Sequence, residues 1–578
     1  MKPRGNRPWE VLRKFCSMPT VLVNNVPVEI GANERLNCIQ AAQRAGVDIP
    51  HYCWHPELSV VASCRMCLVE VGDTKPDGTV AMQPKVVPGC QTPVKDGTVI
   101  VSNSEKVKQA QQATLEYLLL NHPLDCPVCD QAGECGLQDY SYKYGRGYSR
   151  LQEPKNIKPD KDYIGEQVTL FTDRCIMCTR CVRFTREISG SAELQIINRG
   201  TKEEIDIFPG EPCDNKLAGN VVDLCPVGAL CSKDFLYEQR VWWLQVKDSV
   251  CPGCSTGCSI TVEQNKDVLY RLKPRVNPLA QGHFMCDEGR FGWKYIASDK
   301  RLTGPIQRTS GAISSTAWEV VLPAVRASIE STIKAAPKRF AALISPWSTV
   351  EEAALLAQLL KGFSPEVTLA LGVVRSVGED DRYPKDVHGK PTEPTRFTIR
   401  AEKAPNRRGV EAVLQRYQGE VISCEKIVAK LDKNQLDGLY VLNGDPEGMF
   451  PPEMVAKLKS LKLLVVQDLL SSPLTDAAHF VLAGAAWAEK DGTFVNHAGL
   501  AQAIHRGLRG PGESRPDGRI LWDLNQRIGL FHAATIRQEL AGEIADFASL
   551  IQGALGEQGV MTGTAVSPTE TLKQLQPA

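Results

Sequence analysis

No stretch of this 578-residue sequence stays apolar for long enough to span a bilayer. Runs such as 461–466 have only the length of a buried strand, so any membrane association must pass through a partner. Net charge is also missing. Sixty-seven Lys and Arg balance 67 Asp and Glu, the two signs are mixed, and no polybasic run offers a surface to nucleic acid or anionic lipid. Residues 1–17 are basic and contain proline but lack the apolar core of a secretory signal. Glu10, Pro3 and Pro8 also suit a transit peptide poorly, and the segment reads as an extension ahead of a domain starting near Met18. Cysteine is nearly absent from the second half: of 20, only Cys424 lies beyond residue 290. No internal repeat is visible.

What is there is a crowd of cysteines in tight C-x-x-C groups, within a chain long enough for about three to five structural units. Disulfide proteins spread their cysteines through small loop-rich modules. Groups like these point to metal ligation in a reducing compartment. Cys53, Cys64, Cys67 and Cys90 have the C-x10-C-x2-C spacing plus a remote cysteine that suits a [2Fe–2S] cluster, with a zinc site as the alternative. His122, Cys126, Cys129 and Cys135 follow a helix expected over 105–120, capped by Ser104. One imidazole among three thiolates implies a [4Fe–4S] cluster whose net charge and potential differ from an all-cysteine one; spacing alone leaves a Cys3His zinc knuckle open.

Cys175, Cys178 and Cys181, closed by Cys225 before Pro226, give the strongest [4Fe–4S] signal, with Cys213 as a rival fourth ligand. Cys251, Cys254, Cys258 and Cys286 suit a further [4Fe–4S] cluster. Cys16, Cys38, Cys213, Cys231 and Cys424 are left over and read as small buried hydrophobes. His51 and His55 lie near a ligand whose group already has four thiolates, and are read as supporting or structural. Arg65, Arg174, Arg180 and Arg183 adjoin ligands and are candidates for stabilising reduced clusters, against the alternative that they solvate a surface or pair with carboxylates.

Elsewhere, 20–28 alternates like a strand, followed by a helix with Asn33 as N-cap and Leu36, Ile39 and Ala42 facing inward. Past residue 300 the pattern becomes α/β: strands over 340–344, 439–442 and 461–467, a helix over 349–360, an insertion or linker over 378–406 and a polar tail.

Residues 50–71, 119–140, 173–183, 219–233 and 250–296 resemble the G subunit of bacterial NADH:quinone oxidoreductase, respiratory complex I. The most specific stretch is Leu120-Asn121-His122-Pro123-Leu124-Asp125-Cys126-Pro127-Val128-Cys129-Asp130, continuing through Glu134-Cys135-Gly136-Leu137-Gln138-Asp139. The resemblance implies an electron-relay subunit on the cytoplasmic side of the inner membrane, performing no bond chemistry itself. Its neighbours would be the NADH- and FMN-binding subunit, the subunit with two more [4Fe–4S] clusters, and other peripheral-arm subunits. The first three groups would lie on the main wire. The fourth would be a remote cluster off that wire, which the mitochondrial counterpart generally lacks.

The second half is more faintly similar to the molybdopterin oxidoreductases, through Glu489-Lys490-Asp491-Gly492-Thr493-Phe494-Val495-Asn496 and Gly499. Catalytic members follow the last cluster cysteine with a lysine linking cluster and pterin; here Cys286 precedes Asp287-Glu288-Gly289-Arg290. Cys424 has no surroundings fit for a metal ligand. The expectation is a scaffold domain without molybdopterin.

The implied fold is α+β iron–sulfur domains, beginning with a ferredoxin-like β-grasp, followed by a molybdopterin-oxidoreductase-like α/β domain. Its divisions are 1–17, 18–99, 100–140, 141–243, 244–300 and 301–578. The competing functions are the catalytic α-subunit of a molybdenum or tungsten formate dehydrogenase and a relay subunit of an NAD-linked hydrogenase.

Overall fold

The computed structural model describes residues 18–309, 311–552 and 554–563. The 1–17 extension with Cys16, and the tail beyond 563, lie outside the described residues. The chain divides into two compact units, one ending at Trp242, the other running from Trp243 apart from 386–389.

The first unit opens with a hairpin where one strand was expected. Thr20–Val23 and Val26–Glu29 pair antiparallel about Asn24 and Asn25, both at positive φ. Two such residues make the turn whose twist matches the strands it joins. The expected helix starts later than the sequence suggested. It spans Cys38–Arg44 with Asn37, not Asn33, as N-cap, in a reciprocal capping box with Gln40. Six strands form the sheet, in the order Val26–Glu29, Thr20–Val23, Thr98–Val101, Leu68–Thr74, Val80–Met82, with Val87–Pro88 also pairing Leu68–Thr74. Val21, Val23, Ile39, Val69 and Ile100 form its core beneath that helix. The helix Glu105–Leu119 follows, capped by the Ser104 hydroxyl as expected. Two short sheets, Val168–Leu170 with Leu230–Ser232 and Leu194–Ile197 with Glu204–Ile207, flank the helix Arg180–Glu187 in the chain.

The second unit begins with a three-stranded antiparallel sheet, Gln245–Val250, Ser259–Asn265 and Val268–Pro274. Its main body is a seven-stranded sheet. Five of the strands are parallel, in the order Thr368–Leu371, Phe340–Ile344, Gly438–Leu442, Leu463–Asp468, Phe480–Ala483. Both faces are buried, which is why these strands read as continuous apolar runs. Ala342, Ile344, Tyr440 and Val465 pack on one side, Ala341, Leu343, Leu439, Val441 and Val466 on the other. In chain order the parallel strands run 2-1-3-4-5. Their switch point therefore falls between Phe340–Ile344 and Gly438–Leu442, where such sheets open a crevice at the strands' carboxyl ends.

Residues 378–406 are more ordered than an inserted linker. They contain the antiparallel pair Asp381–Tyr383 and Phe397–Ile399, and Phe397, Lys403 and Asn406 are buried. Charge and proline hid the segment because its buried residues are spaced irregularly and follow no period.

Candidate metal centres

The first cysteine group converges in the first unit. Cys53, Cys64, Cys67 and Cys90 are all buried. The Cys64 and Cys90 thiols are hydrogen-bonded to the Cys53 sulfur, holding the Cys53 thiol well below its usual range. The same bonds, then burial, push Cys64 and Cys90 upward. The Cys53 N–H donates to the Cys64 sulfur at 3.5 Å. Arg65 carries φ 59° between Cys64 and Cys67, a left-handed backbone that costs an L-residue about 1–2 kcal/mol. Strain of this kind collects in loops shaped by a ligand.

The third group lines one enclosed void: Cys175, Cys178, Cys181 and Cys225, roofed by Leu170, Ile205 and Leu230. The void is lined by Cys225, not by Cys213. Met177 and Thr179 both take positive φ, and the Met177 N–H donates to the Cys175 sulfur at 3.4 Å. Burial pushes the Cys175 thiol up to about 12 and Cys178 to about 11.

The fourth group forms a similar void in the second unit, lined by Cys251, Cys254, Cys258, Cys286, Glu288, Gly289 and Phe397. Burial pushes the Cys251 thiol up to about 12. The Gly253 and Gly289 N–H groups donate to the Cys251 and Cys286 sulfurs at 3.5 and 3.4 Å. Thiols this buried stay protonated until a cation replaces their protons, so loading such a site releases protons. Thiolates suit iron in both oxidation states.

The second group is more open. Cys126 is exposed, whereas Cys129 and Cys135 are buried. Arg240 donates to the Cys129 and Cys126 carbonyls, both at 3.1 Å. Burial, then Lys155 and Arg174, lowers the His122 pKa to about 4, so the ring is neutral. Its Nδ1 is buried without a hydrogen-bond partner, as a nitrogen meant for a metal would be. Arg174 beside it is bound to Asp125 at 2.9 Å. Among the described residues no set of three or more His, Cys, Asp or Glu is arranged to hold a single metal ion.

The leftover cysteines are buried: Cys38, Cys213, Cys231 and Cys424. The Cys38 thiol donates to the Thr92 carbonyl and Cys231 to that of Gly228. His51 is tied to the Ile49 carbonyl at 2.7 Å, and the His55 Nδ1 accepts from the Glu57 N–H. Arg65 is exposed.

In the second half, the 489–496 stretch turns inward. Glu489 pairs with Arg301 at 2.6 Å, Lys490 with Glu352 and Asp517 at 2.9 and 3.0 Å. The Asn496 amide donates to the Thr256 carbonyl at 2.9 Å. The switch-point loops hold one another: Arg375 binds Asp445 through two hydrogen bonds of 2.9 and 2.6 Å, and the Trp347 indole donates to the Lys403 carbonyl. Lys403 was invisible to motif reading, because no spacing links it to Cys286. Its ammonium pairs with Glu288 on the wall of the fourth void, so a lysine does stand near Cys286, but from another segment.

Curated relatives match a part of the chain. Over 336 residues the chain is 37% identical to the G subunit of NADH-quinone oxidoreductase from Rickettsia conorii, covering 58% of this chain and 48% of the relative. Over that stretch the chain is similar to that G subunit. The 75 kDa subunit of NADH-ubiquinone oxidoreductase from Reclinomonas americana is 38% identical over 302 residues, 52% of this chain and 42% of that one. The chain thus spans about half the length of the curated relatives it matches.

Family models follow the expected order. A 2Fe-2S iron-sulfur cluster binding domain covers 18–105, the NADH-ubiquinone oxidoreductase-G iron-sulfur binding region 111–150, and the ferredoxin-like domain of NADH-quinone oxidoreductase subunit 3 residues 165–231. The molybdopterin oxidoreductase Fe4S4 domain covers 244–298, and molybdopterin oxidoreductase 411–527. The fold class is therefore iron–sulfur domains followed by a molybdopterin-oxidoreductase-like α/β domain. Solved structures are similar to parts of the chain at TM-scores too low to carry an argument. One is a chain of an NAD+-reducing [NiFe]-hydrogenase, at 0.33, 28% identity and 39% of this chain against 91% of that one. Another is acetylene hydratase from Pelobacter acetylenicus, at 0.35, 10% identity and 48% against 69%. No helix among the described residues is long and apolar enough to cross a membrane.

Proposed function

We propose that this chain is the electron-relaying iron–sulfur subunit of an NADH:quinone oxidoreductase. It would pass electrons from an NADH- and FMN-binding subunit towards quinone by way of a subunit with two further [4Fe–4S] clusters. Cys53, Cys64, Cys67 and Cys90 hold one [2Fe–2S] cluster. Three [4Fe–4S] clusters sit on His122, Cys126, Cys129 and Cys135; on Cys175, Cys178, Cys181 and Cys225; and on Cys251, Cys254, Cys258 and Cys286, the last off the main path. The chain itself converts no substrate, and it works as a peripheral subunit at the cytoplasmic face of a bacterial inner membrane.

The observation that carries this reading is the stitching of three cysteine groups within one unit. Arg183 donates to the carbonyls of both Cys53 and Cys178. The Pro226 carbonyl, next to Cys225, accepts from the Gly136 N–H at 3.1 Å and from the Cys135 thiol. The Tyr52 hydroxyl donates to the Gly136 carbonyl at 3.5 Å. A bound iron–sulfur cluster supplies one-electron chemistry, with a potential set by ligand type, hydrogen bonds to sulfur and burial. The protein's share is visible in its N–H groups aimed at sulfur and in cavity walls that exclude water.

The second half acts as scaffold. Arg375 and Asp445 bind each other, and the polar groups of 489–496 are paired with this chain's own side chains, which supports that reading. Metal analysis of the anaerobically purified chain tests the proposal: about 14 iron atoms per chain and no molybdenum or tungsten are expected. Stoichiometric molybdenum or tungsten would overturn it in favour of a catalytic formate-dehydrogenase-type subunit.

A further inference from the structure

The helix Arg180–Glu187 presents Arg180, Arg183 and Glu187 at spacings of three and four, which places them on one face. All three reach the loop that follows Cys53. Arg180 donates to the Trp54 carbonyl at 2.5 Å, and Arg183 to the Cys53 and Ser59 carbonyls, the latter at 2.6 Å. Glu187 accepts from the Ser59 N–H at 2.8 Å and from its hydroxyl at 2.5 Å. The same arginines also hold the third group. Arg183 donates to the Cys178 carbonyl at 3.2 Å, and Arg180 to the carbonyl of Leu224, just before Cys225, at 3.3 Å.

These hydrogen bonds leave a charge unanswered. Arg183 is buried, with 7% of its surface exposed, and its partners are three carbonyls and the Thr179 hydroxyl. Arg180 is half-buried and bonds two carbonyls. Among the described residues neither has a carboxylate within ion-pair distance, whereas Arg174 has Asp125 and Arg271 has Glu263. A guanidinium taken out of water without a counter-charge is costly. Ionised sulfurs of both cysteine groups act on this charge: Cys178, Cys225 and Cys53 on Arg180, while Arg180 and Arg183 both favour the ionised form of Cys178.

We propose that Arg180 and Arg183 are shared positioning residues for the first and third clusters. Their charge stabilises the added electron on either cluster, and their carbonyl bonds fix the separation of the two. This rests on the ligand reading above. Each cluster becomes more negative by one charge on reduction, so a cation held between them favours reduction of both.

The test is an EPR-monitored redox titration of the full chain, purified anaerobically, comparing the parent with Arg183→Gln, Arg183→Lys and Arg180→Gln. In Arg183→Gln the reduction constants of the first and third clusters should both fall about tenfold, about 59 mV for a one-electron couple, while the second and fourth stay unchanged. Arg183→Lys, which keeps the charge, should recover most of the shift. A fully loaded Arg183→Gln with both potentials unmoved, or only one moved, would overturn the proposal. Should Arg183→Gln fail to load, Arg180→Gln decides by the same criterion. Absence of a [2Fe–2S] signal from the parent would overturn the ligand reading itself, and is seen before any variant is made.

Discussion

His122 is the residue whose chemistry is most exposed to experiment. A buried neutral imidazole with an orphan Nδ1 is costly unless something binds it. If that is iron, His122→Cys keeps the cluster but adds a negative charge to its ligand set and lowers its potential. An unchanged EPR signal and titration curve would remove His122 from the ligands. Gly228 makes a second point at this scale. A Cβ there would lie 2.1 Å from the Cys129 sulfur, which cannot turn away while it holds a cluster. Gly228→Ala is therefore predicted to lose the second cluster alone, seen as about four fewer iron atoms per chain and loss of its signal with the others kept. The candidate ligands could be named from sequence because cluster loops fix cysteine spacing. The left-handed residues Arg65, Met177 and Thr179, which turn those loops, could not be, since nothing in their side chains asks for that conformation.

Elements were read where burial imposes a period and missed where it does not. The strand Phe340–Ile344 and the helix Val350–Phe363 behind its Thr349 cap follow from an apolar run and a T-x-x-E capping box. Thr349→Ala should cost about 1 kcal/mol of unfolding free energy, measurable by denaturant titration. The turn at Asn24–Asn25, the cap at Asn37 and the reach of Lys403 escaped, because an Asn suits several local roles and a long-range ion pair has no sequence period. Asp468, at the end of its strand, gives a pH prediction. Burial raises it from 3.8 to about 7, despite the Asn443 amide at 3.0 Å. Between those values the folded state keeps a proton that the unfolded chain has released. The stability it contributes at low pH is therefore lost as pH rises, at up to about 1.4 kcal/mol per unit. Asp468→Asn escapes that loss. Its stability relative to the parent should grow from pH 4 to 7 and level off above; a constant difference would contradict the assignment.

Across the whole molecule, the two units divide the work. The first gathers three cysteine groups into one bonded network; the second carries three cysteines of the fourth on the loop joining Gln245–Val250 to Ser259–Asn265, and its seven-stranded sheet has a switch point closed by Arg375 and Asp445. The order of the domains was legible in the cysteine spacing. The stitching between groups was not, since Arg183 lies 130 residues from the Cys53 it binds, and only folding brings them together. The central claim is that this chain carries electrons and does nothing else. An EPR-monitored titration of the anaerobically purified full chain tests it most directly. It should show one [2Fe–2S] and three [4Fe–4S] centres, each taking up a single electron reversibly; a colourless, EPR-silent protein loaded with zinc would contradict it.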